Sequence, residues 1–230
     1  DFPPFPERIE NLMDLDADFL KSVLDKVAGL VPQNNANPAL NGLCVECKKN
    51  GISFVATDGH SLAILKTKKY SLEKETTWIV PKRAILELKK TLEASEASRV
   101  FLGICDGQLV FSGGNFNFFT RLIADKFPAY ESILERKNFE TGKISRSLFV
   151  GALRRAGCLL AGRFVSTQFY FKSSEKTLTL SVNNKEVGSL TEEVSLEEFG
   201  TNDVINRFYS PYVLNAAQAS GGEEILFSAK

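Results

Sequence analysis

Residues 51–67 contain the clearest structural signal in the chain and read Gly51-Ile52-Ser53-Phe54-Val55-Ala56-Thr57-Asp58-Gly59-His60-Ser61-Leu62-Ala63-Ile64-Leu65-Lys66-Thr67. Runs of mainly apolar residues precede and follow Asp58-Gly59 in the sequence, a pattern typical of two paired β-strands. The dipeptide suits a two-residue hairpin, because Gly tolerates positive φ and Asp is mildly permissive. We therefore predict strands at about 51–57 and 61–67, joined by a two-residue hairpin turn at Asp58-Gly59.

Outward from this hairpin, the pattern predicts mixed α and β elements in a definite order. A helix is expected at 16–31, with a start signal at Asp16 or Asp18, and a Pro/Asn-rich loop follows it at 32–38. Pro81 opens a second helix with apolar residues on one side. The remaining predicted elements are strands at about 41–48, 77–80, 99–104, 107–112 and 116–123 and the second helix at 82–93.

The same series of elements occurs a second time along the chain. Ile52-Ser53-Phe54 is matched 126 positions later by Leu178-Thr179-Leu180, and Phe2-Pro3 is matched by Phe127-Pro128. A repeat of this length is the size of a domain and indicates tandem α+β domains. The predicted elements of the second copy are helices at 145–160 and 211–219 and strands at 167–173, 177–183, 187–195, 204–210 and 224–228.

Composition is typical of a globular protein and excludes several classes. Hydrophobic residues make up 43% and charged residues 24% of the 230 positions, which is outside the disordered range. Four cysteines are too few for a disulfide scaffold, and no apolar run is long enough for a membrane span. With no signal-peptide pattern at the start, we expect a soluble, intracellular protein.

Charge must be judged from its distribution, because Lys plus Arg and Asp plus Glu are equal at 28 each. Basic residues form a stripe on the helix that follows Pro81 and occur on the polar side of the helix at 145–160. These basic residues are Lys82, Arg83, Lys89, Lys90, Arg146 and Arg154. They are either a surface for phosphates or simply solvated helix faces, and the sequence alone leaves both open.

The candidates for catalysis and metal binding are weak. Cys44 and Cys47 have the spacing of half a zinc site, but residues i and i+3 of a strand point to opposite faces, and a tetrahedral site needs two more ligands. His60, the one histidine, is close in sequence to Asp58, but their side chains diverge on a tight turn. We expect no metal, no cofactor and no catalytic residues.

The string Ala56-Thr57-Asp58-Gly59-His60-Ser61-Leu62-Ala63 is the most specific motif. Together with Asp125-Lys126-Phe127-Pro128-Ala129-Tyr130, the proline-led helix after Trp78-Ile79-Val80 and the repeated plan, it resembles the bacterial sliding clamp family, the beta subunit of DNA polymerase III. The resemblance covers essentially the whole chain. It implies the end of a first domain and a linker at 1–14, the clamp middle domain at 15–133, and a C-terminal domain at 134–230 that lacks its final hairpin.

The resemblance implies an α+β processivity fold of tandem DNA-clamp domains, each with two helices packed on antiparallel sheets. In that family two chains join head to tail into a ring around duplex DNA, with helices inside. The six basic residues named above would then face DNA without reading its sequence. The protein would be a non-catalytic subunit of a DNA-directed DNA polymerase in the bacterial cytoplasm, with no cofactor.

The resemblance also implies a hydrophobic site between the second and third domains for short linear peptides. Expected partners are the alpha subunit of DNA polymerase III, the clamp loader, other polymerases and repair proteins. Carried over by position, the peptide-binding residues are Thr57, Gly59, His60, Leu62, Pro128, Ile133 and Tyr212. The alternative from another class is an α+β adaptor that binds peptides and no DNA.

Overall fold

The computed structural model describes residues 9–135, 137–161 and 165–230. The chain divides after Ala129 into two compact units, which we call unit 1 and unit 2. The first member of the predicted Phe-Pro repeat, Phe2-Pro3, lies outside the described residues.

The described residues of unit 1 form two α-helices and two four-stranded antiparallel sheets. Its sheets have the strand orders β1-β6-β7-β8 and β4-β3-β2-β5. The elements are β1 (Glu10–Asp16), α1 (Ala17–Val27), β2 (Gly42–Lys48), β3 (Gly51–Thr57), β4 (Leu62–Thr67), β5 (Thr76–Pro81), α2 (Lys82–Ala94), β6 (Arg99–Cys105), β7 (Gln108–Gly113) and β8 (Phe116–Arg121).

Unit 2, as far as its residues are described, has two α-helices and one six-stranded antiparallel sheet with the order β13-β10-β11-β12-β9-β14. The elements are β9 (Glu140–Ser145), α3 (Arg146–Gly157), β10 (Thr167–Lys172), β11 (Thr177–Asn184), β12 (Gly188–Phe199), β13 (Val204–Phe208), α4 (Ser210–Ala219) and β14 (Glu224–Ala229).

The predicted internal repeat is confirmed by strand order. The order β5-β2-β3-β4 in unit 1 is repeated as β13-β10-β11-β12 in unit 2, and the pair β1-β6 is repeated as β9-β14. The predicted helices at 16–31 and 145–160 correspond to α1 and α3. The α+β class is therefore correct, with two copies of one topology.

The described part of unit 2 has no counterpart of β7 and β8. In unit 1, Leu109 and Phe111 of β7 are buried in the core. In unit 2 a cavity of about 450 Å³ is lined by Phe149, Phe169 and Phe227, whose positions match those of Leu20, Val45 and Leu102 in the core of unit 1.

Two segments differ from the expected domain boundaries. β1 starts at Glu10, so residues 10–14, expected in a linker, form part of a sheet in unit 1 through their pairing with β6. The division after Ala129 places residues 130–133, expected in the middle domain, in unit 2. β1 and β9 were not predicted, because their sequences mix charged and apolar residues without a regular alternation.

Helix α1 begins where the sequence predicts. The Asp16 carboxylate accepts a hydrogen bond from the Phe19 N–H at 2.9 Å, so Asp16 is the N-cap. Leu20, Leu24 and Val27 recur at helical spacing and are buried against the sheets of unit 1. The helix ends at Val27, four residues before the predicted limit, and continues as a 3-10 turn.

We expect Asp16→Ala to lower the melting temperature of unit 1 more at pH 7 than near pH 3. The Phe19 N–H, which bonds to the carboxylate, is the largest cause that holds the pKa of Asp16 below its ordinary value. A lowered folded pKa contributes stability above the unfolded value of about 3.9, and that stability is lost as the pH falls through the folded pKa. Thermal unfolding by circular dichroism at both pH values measures the difference.

The matched control is Asp18→Ala, since Asp18 is in the first turn of the same helix but makes no cap. Its side chain is 94% exposed beside Lys21, and we expect a small change in melting temperature. An equal loss for Asp16→Ala at both pH values would contradict a role for the ionised cap.

Candidate functional site

The segment that joins β3 to β4 is a four-residue loop, and the prediction of a two-residue turn is wrong. Thr57 faces Leu62 across the ladder, which leaves residues 58–61 in the loop. The Asp58 carboxylate accepts hydrogen bonds from the backbone N–H groups of His60 at 2.8 Å and Ser61 at 2.7 Å. These two hydrogen bonds stabilise a four-residue loop in place of a tight two-residue turn.

Thr57 and Gly59 complete this loop. The Thr57 hydroxyl donates to the Ser61 carbonyl oxygen at 2.7 Å, and the Gly59 N–H donates to the Thr57 hydroxyl oxygen at 3.1 Å. Gly59 has a φ of +91°, which a residue with a side chain adopts only with strain. The loop is thus held by its own side chains, and it leaves His60 exposed and Leu62 half-buried.

The side chains of Asp58 and Thr57 hold the loop in shape, and this accounts for polar residues in the motif. One carboxylate oxygen of Asp58 accepts hydrogen bonds from two backbone N–H groups of the loop. The Thr57 hydroxyl donates a hydrogen bond to the Ser61 carbonyl oxygen.

The other residues predicted for peptide binding are on separate elements. Pro128 is exposed in unit 1. In unit 2, Ile133 lies in a 3-10 turn at 131–134 and is 72% exposed, which is unusual for a large aliphatic side chain. Tyr212 is in the first turn of α4, where its ring lies edge-to-face against Tyr209 with centroids 5.3 Å apart.

The basic residues of α2 differ in whether a carboxylate lies close enough to balance their charge. Lys82 is half-buried and Arg83 exposed, and neither has an ion pair within the described residues. Lys89 Nζ lies 2.5 Å from Asp25 Oδ1 on α1 and 3.7 Å from Glu93. The hydrogen bond to Asp25 holds the pKa of Lys89 above its ordinary value.

Lys90 is also paired, with its Nζ 3.1 Å from Glu87 Oε1 on the same helix. Helix α2 carries four basic and two acidic side chains, so the stripe keeps a positive excess. Most of the unbalanced charge is at the start of the helix, on Lys82 and Arg83.

On α3, Arg146 has a structural contact that the sequence did not indicate. Its Nε donates to the Ala217 carbonyl oxygen at 3.1 Å, and another guanidinium nitrogen donates to the Gln218 carbonyl oxygen at 2.8 Å. Arg146 therefore satisfies carbonyl groups at the end of α4. Arg154 is exposed and has no ion pair within the part of the chain that the structure describes.

Arg155, which the sequence analysis did not select, lies next to Arg154 on α3. Its guanidinium forms a two-point ion pair with Glu192 on β12, with Nε 2.9 Å from Oε2. This pair holds the pKa of Glu192 below its ordinary value. Helix α3 has three basic and no acidic residues. A count of the charged residues on each predicted helix would therefore have pointed to Arg155.

The cysteines of β2 lie in the core. Cys44 and Cys47 are at most 1% exposed, and burial raises the pKa of the Cys47 thiol to about 12. A protonated, buried thiol is a poor metal ligand. Among residues 9–135, 137–161 and 165–230, no three His, Cys, Asp or Glu side chains are grouped to hold a metal ion.

Within the described residues, no helix is both long and apolar enough to cross a lipid bilayer.

Known proteins share this fold and this sequence pattern. Beta sliding clamps of Staphylococcus aureus are 25% identical over 217 residues, which is 94% of this chain and 57% of the relative. The clamp of Staphylococcus epidermidis is 25% identical over 226 residues, covering 97% of this chain and 59% of the relative. The chain thus spans less than two thirds of the length of these relatives.

Solved structures agree. The DNA polymerase sliding clamp of Bacillus subtilis has a TM-score of 0.91 at 24% identity and covers 100% of this chain and 60% of that one. The DNA polymerase III subunit beta of Pseudomonas aeruginosa has a TM-score of 0.89 at 25% identity, covering 99% of this chain and 62% of that one.

The family model for the DNA polymerase III beta subunit, central domain, matches residues 14–129, which are half of the chain and nearly all of unit 1. The match includes the Thr57–Leu62 loop, the Pro81-led helix and the Phe127-Pro128 segment. Since it covers half of the chain, it decides the family. The chain belongs to the family of the DNA polymerase III beta subunit.

Proposed function

We propose that this chain is part of a DNA-replication processivity factor that encircles duplex DNA and slides along it. Family membership through residues 14–129 is the observation that carries the proposal. Its role is non-catalytic, as one subunit of a DNA polymerase holoenzyme in the bacterial cytoplasm. The alternative of a peptide-binding adaptor without DNA contact is not favoured, because the relatives and structural neighbours are named as sliding clamps.

Positive charge on α2 and α3 is the proposed contact with DNA. A sliding protein needs phosphate contacts of low specificity, and exposed Lys and Arg supply them without reading bases. Of the six predicted residues, Lys82, Arg83 and Arg154 have no ion pair within the described residues and contribute most. Lys89 and Lys90 are partly balanced by carboxylates, and Arg146 also supports α4.

Short linear peptides are the second proposed ligand. We assign them to Thr57, Gly59, His60, Leu62 and Pro128 of unit 1 and to Ile133 and Tyr212 of unit 2. The support is that the loop at 57–62 has a fixed shape and that Ile133 is an exposed aliphatic side chain. Such groups suit an apolar peptide anchor.

The proposed peptide donors are the polymerase III alpha subunit, the clamp loader, and other polymerases and repair proteins. In the complete protein we propose that two copies join head to tail as a ring.

The test of DNA contact is the variant Lys82→Gln/Arg83→Gln/Arg154→Gln. We expect it to bind a fluorescein-labelled duplex more weakly than wild type in low salt, as measured by fluorescence anisotropy. The slope of log K against log salt should fall by about 2 to 3, since each lost phosphate contact changes it by about 0.9. Two duplexes of unrelated sequence should behave alike.

The control removes three exposed lysines that are outside the proposed surface, in Lys126→Gln/Lys137→Gln/Lys176→Gln. It has the same net charge as the test variant. An equal loss in both variants, or a strong preference for one duplex sequence, would count against DNA contact through the helices.

A further inference from the structure

Unit 1 has a second basic surface, at the end of the β4-β3-β2-β5 sheet where β2 turns into β3. This surface includes the turn after β2 and the segment that connects β4 to β5. We call it the turn-end surface, and its residues are Lys48, Lys49, Lys66, Lys68, Lys69 and Lys74. All six side chains are exposed.

The fold brings these two segments into contact. Lys48 faces Gly51 across the β2–β3 ladder. A Cβ on Gly51 would lie 2.3 Å from the Thr67 carbonyl oxygen and 3.5 Å from the Lys68 Cα, so the two segments touch at this glycine. The Leu72 N–H also donates to the Lys48 carbonyl oxygen at 3.2 Å. The lysines therefore form one surface although up to 26 positions separate them in sequence.

The six lysines outnumber the two acidic residues of the same segments, Glu73 and Glu75, so the turn-end surface has a positive excess. Within the described residues, one ion pair involves these lysines, between Lys49 and Glu73 at 3.8 Å, and both side chains are largely exposed. Lys69 is 5.4 Å from the centre of the Tyr70 ring and attracts the Asp16 carboxylate. In contrast, Lys89 and Lys90 on α2 each have a close carboxylate partner.

The internal repeat indicates that the fold itself does not require this charge. In the ladders, Lys48 of β2 faces Gly51 and the corresponding Lys172 of β10 faces Thr177, but the turn that follows reads Ser173-Ser174-Glu175-Lys176 in unit 2 and Lys49-Asn50 in unit 1. Lys66 pairs with Ser53, and the matching Thr179 of unit 2 pairs with Glu193. The same sheet end in unit 2 thus combines Lys172 and Lys176 with Glu175 and Glu193, and it lacks the excess of lysine found in unit 1.

This surface is separate from the helix residues proposed to contact DNA. β5 starts at Thr76, opposite Cys47 near the turn end, and finishes at Pro81, opposite Gly42 at the other end of the sheet. Lys82 and Arg83 follow Pro81, so they lie at the end of the sheet away from the turn-end surface.

We propose that the turn-end surface binds the phosphate backbone of nucleic acid. Lysine ammonium groups on short turns are hydrated point charges, which suit phosphates and cannot read bases by two-point contacts. An acidic peptide needs an apolar anchor for useful affinity, and none of the large exposed hydrophobic side chains of the described residues falls between positions 42 and 81. The binding is therefore independent of nucleic-acid sequence.

The test uses the 230-residue chain with Lys48→Gln/Lys49→Gln/Lys68→Gln/Lys69→Gln. Anisotropy titration of a labelled duplex of about 20 base pairs measures affinity at several salt concentrations. We expect at least about tenfold weaker binding near 50 mM salt, and a salt slope smaller by about 3. Circular dichroism should show that the variant folds, because all four side chains are exposed. Its melting temperature should fall only slightly, through loss of the attraction between Lys69 and the Asp16 carboxylate.

A matched control with the same net charge is Lys126→Gln/Lys137→Gln/Lys176→Gln/Lys185→Gln, whose side chains are also exposed. We expect it to keep the wild-type slope. Equal losses in the two variants would indicate a general charge effect and overturn the proposal. An unchanged affinity of the turn-end variant for the duplex would also overturn the proposal. The same holds if the variant loses affinity only for a poly-glutamate peptide or for anionic lipid vesicles and not for the duplex.

The result is distinguishable from failure of the proposed clamp function. The variant in Lys82, Arg83 and Arg154 tests the helices, and the turn-end variant tests only this surface. If only the helix variant loses affinity for DNA, the turn-end proposal is overturned while the clamp function stands. If only the turn-end variant loses affinity, the proposed DNA contact of the helices is overturned while the turn-end proposal stands.

Discussion

Leu88→Ala should lower the free energy of unfolding of unit 1 by about 2–5 kcal/mol. Leu88 is on α2, is 2% exposed and packs in the core of unit 1. Its truncation removes buried methyl groups and leaves a cavity that the two sheets can fill only in part. Urea unfolding followed by tryptophan fluorescence measures the change, because the one tryptophan, Trp78, is buried in the same core.

The control is Leu86→Ala, two positions earlier on the same helix. Leu86 is 40% exposed, so its truncation should change stability by no more than about 0.5 kcal/mol. Both substitutions replace leucine by alanine in a helix, and the difference between them therefore isolates burial. Equal losses would mean that the face of α2 assigned to the core is wrong.

Replacing Leu62 or Ile133 by Glu should reduce binding of a short clamp-binding peptide below detection. An unpaired charge placed in a small apolar site costs several kcal/mol of binding free energy. A loss of roughly 2 to 3 kcal/mol is enough to lower the affinity by more than tenfold. Isothermal titration calorimetry with a peptide from a polymerase that binds sliding clamps is the measurement. Ile133 is 72% exposed, and its substitution should leave the fold unchanged.

Leu226→Glu is the matched control for this experiment. Leu226 is 80% exposed on β14 and is outside the proposed peptide-binding set, so wild-type affinity is expected. If wild type, Leu62→Glu and Ile133→Glu all bound the peptide equally, the peptide site would have to be elsewhere.

Elements with strong local signals were predicted well. The Asp16 cap and the apolar spacing of Leu20, Leu24 and Val27 are enough to specify α1, because a helix forms from contacts between residues three or four positions apart. The hairpin strands at 51–57 and 62–67 follow from their apolar runs. The internal repeat was also visible, since both copies keep the same order of elements.

β1 and β9 were missed for the opposite reason. Their sequences have no clear alternation, and they are strands because of partners far along the chain, as in the pairing of Leu15 with Val100. The prediction of a two-residue turn after Thr57 was wrong because the Asp58 carboxylate accepts hydrogen bonds from the backbone N–H groups of His60 and Ser61 and so stabilises a longer loop. A dipeptide rule does not include such side-chain bonds.

By itself, the sequence determined the fold class, the repeat, most elements and the family motif, because these depend on local pattern and order. Tertiary structure alone decided which charges stay available. The pairing of Lys89 with Asp25 depends on contact between α1 and α2, and the bond from Arg146 to Ala217 joins residues 71 positions apart. The lysines of the turn-end surface likewise meet only because β2, β3 and β4 pair. Charge balance depends on distances in space, and those are fixed by packing between elements.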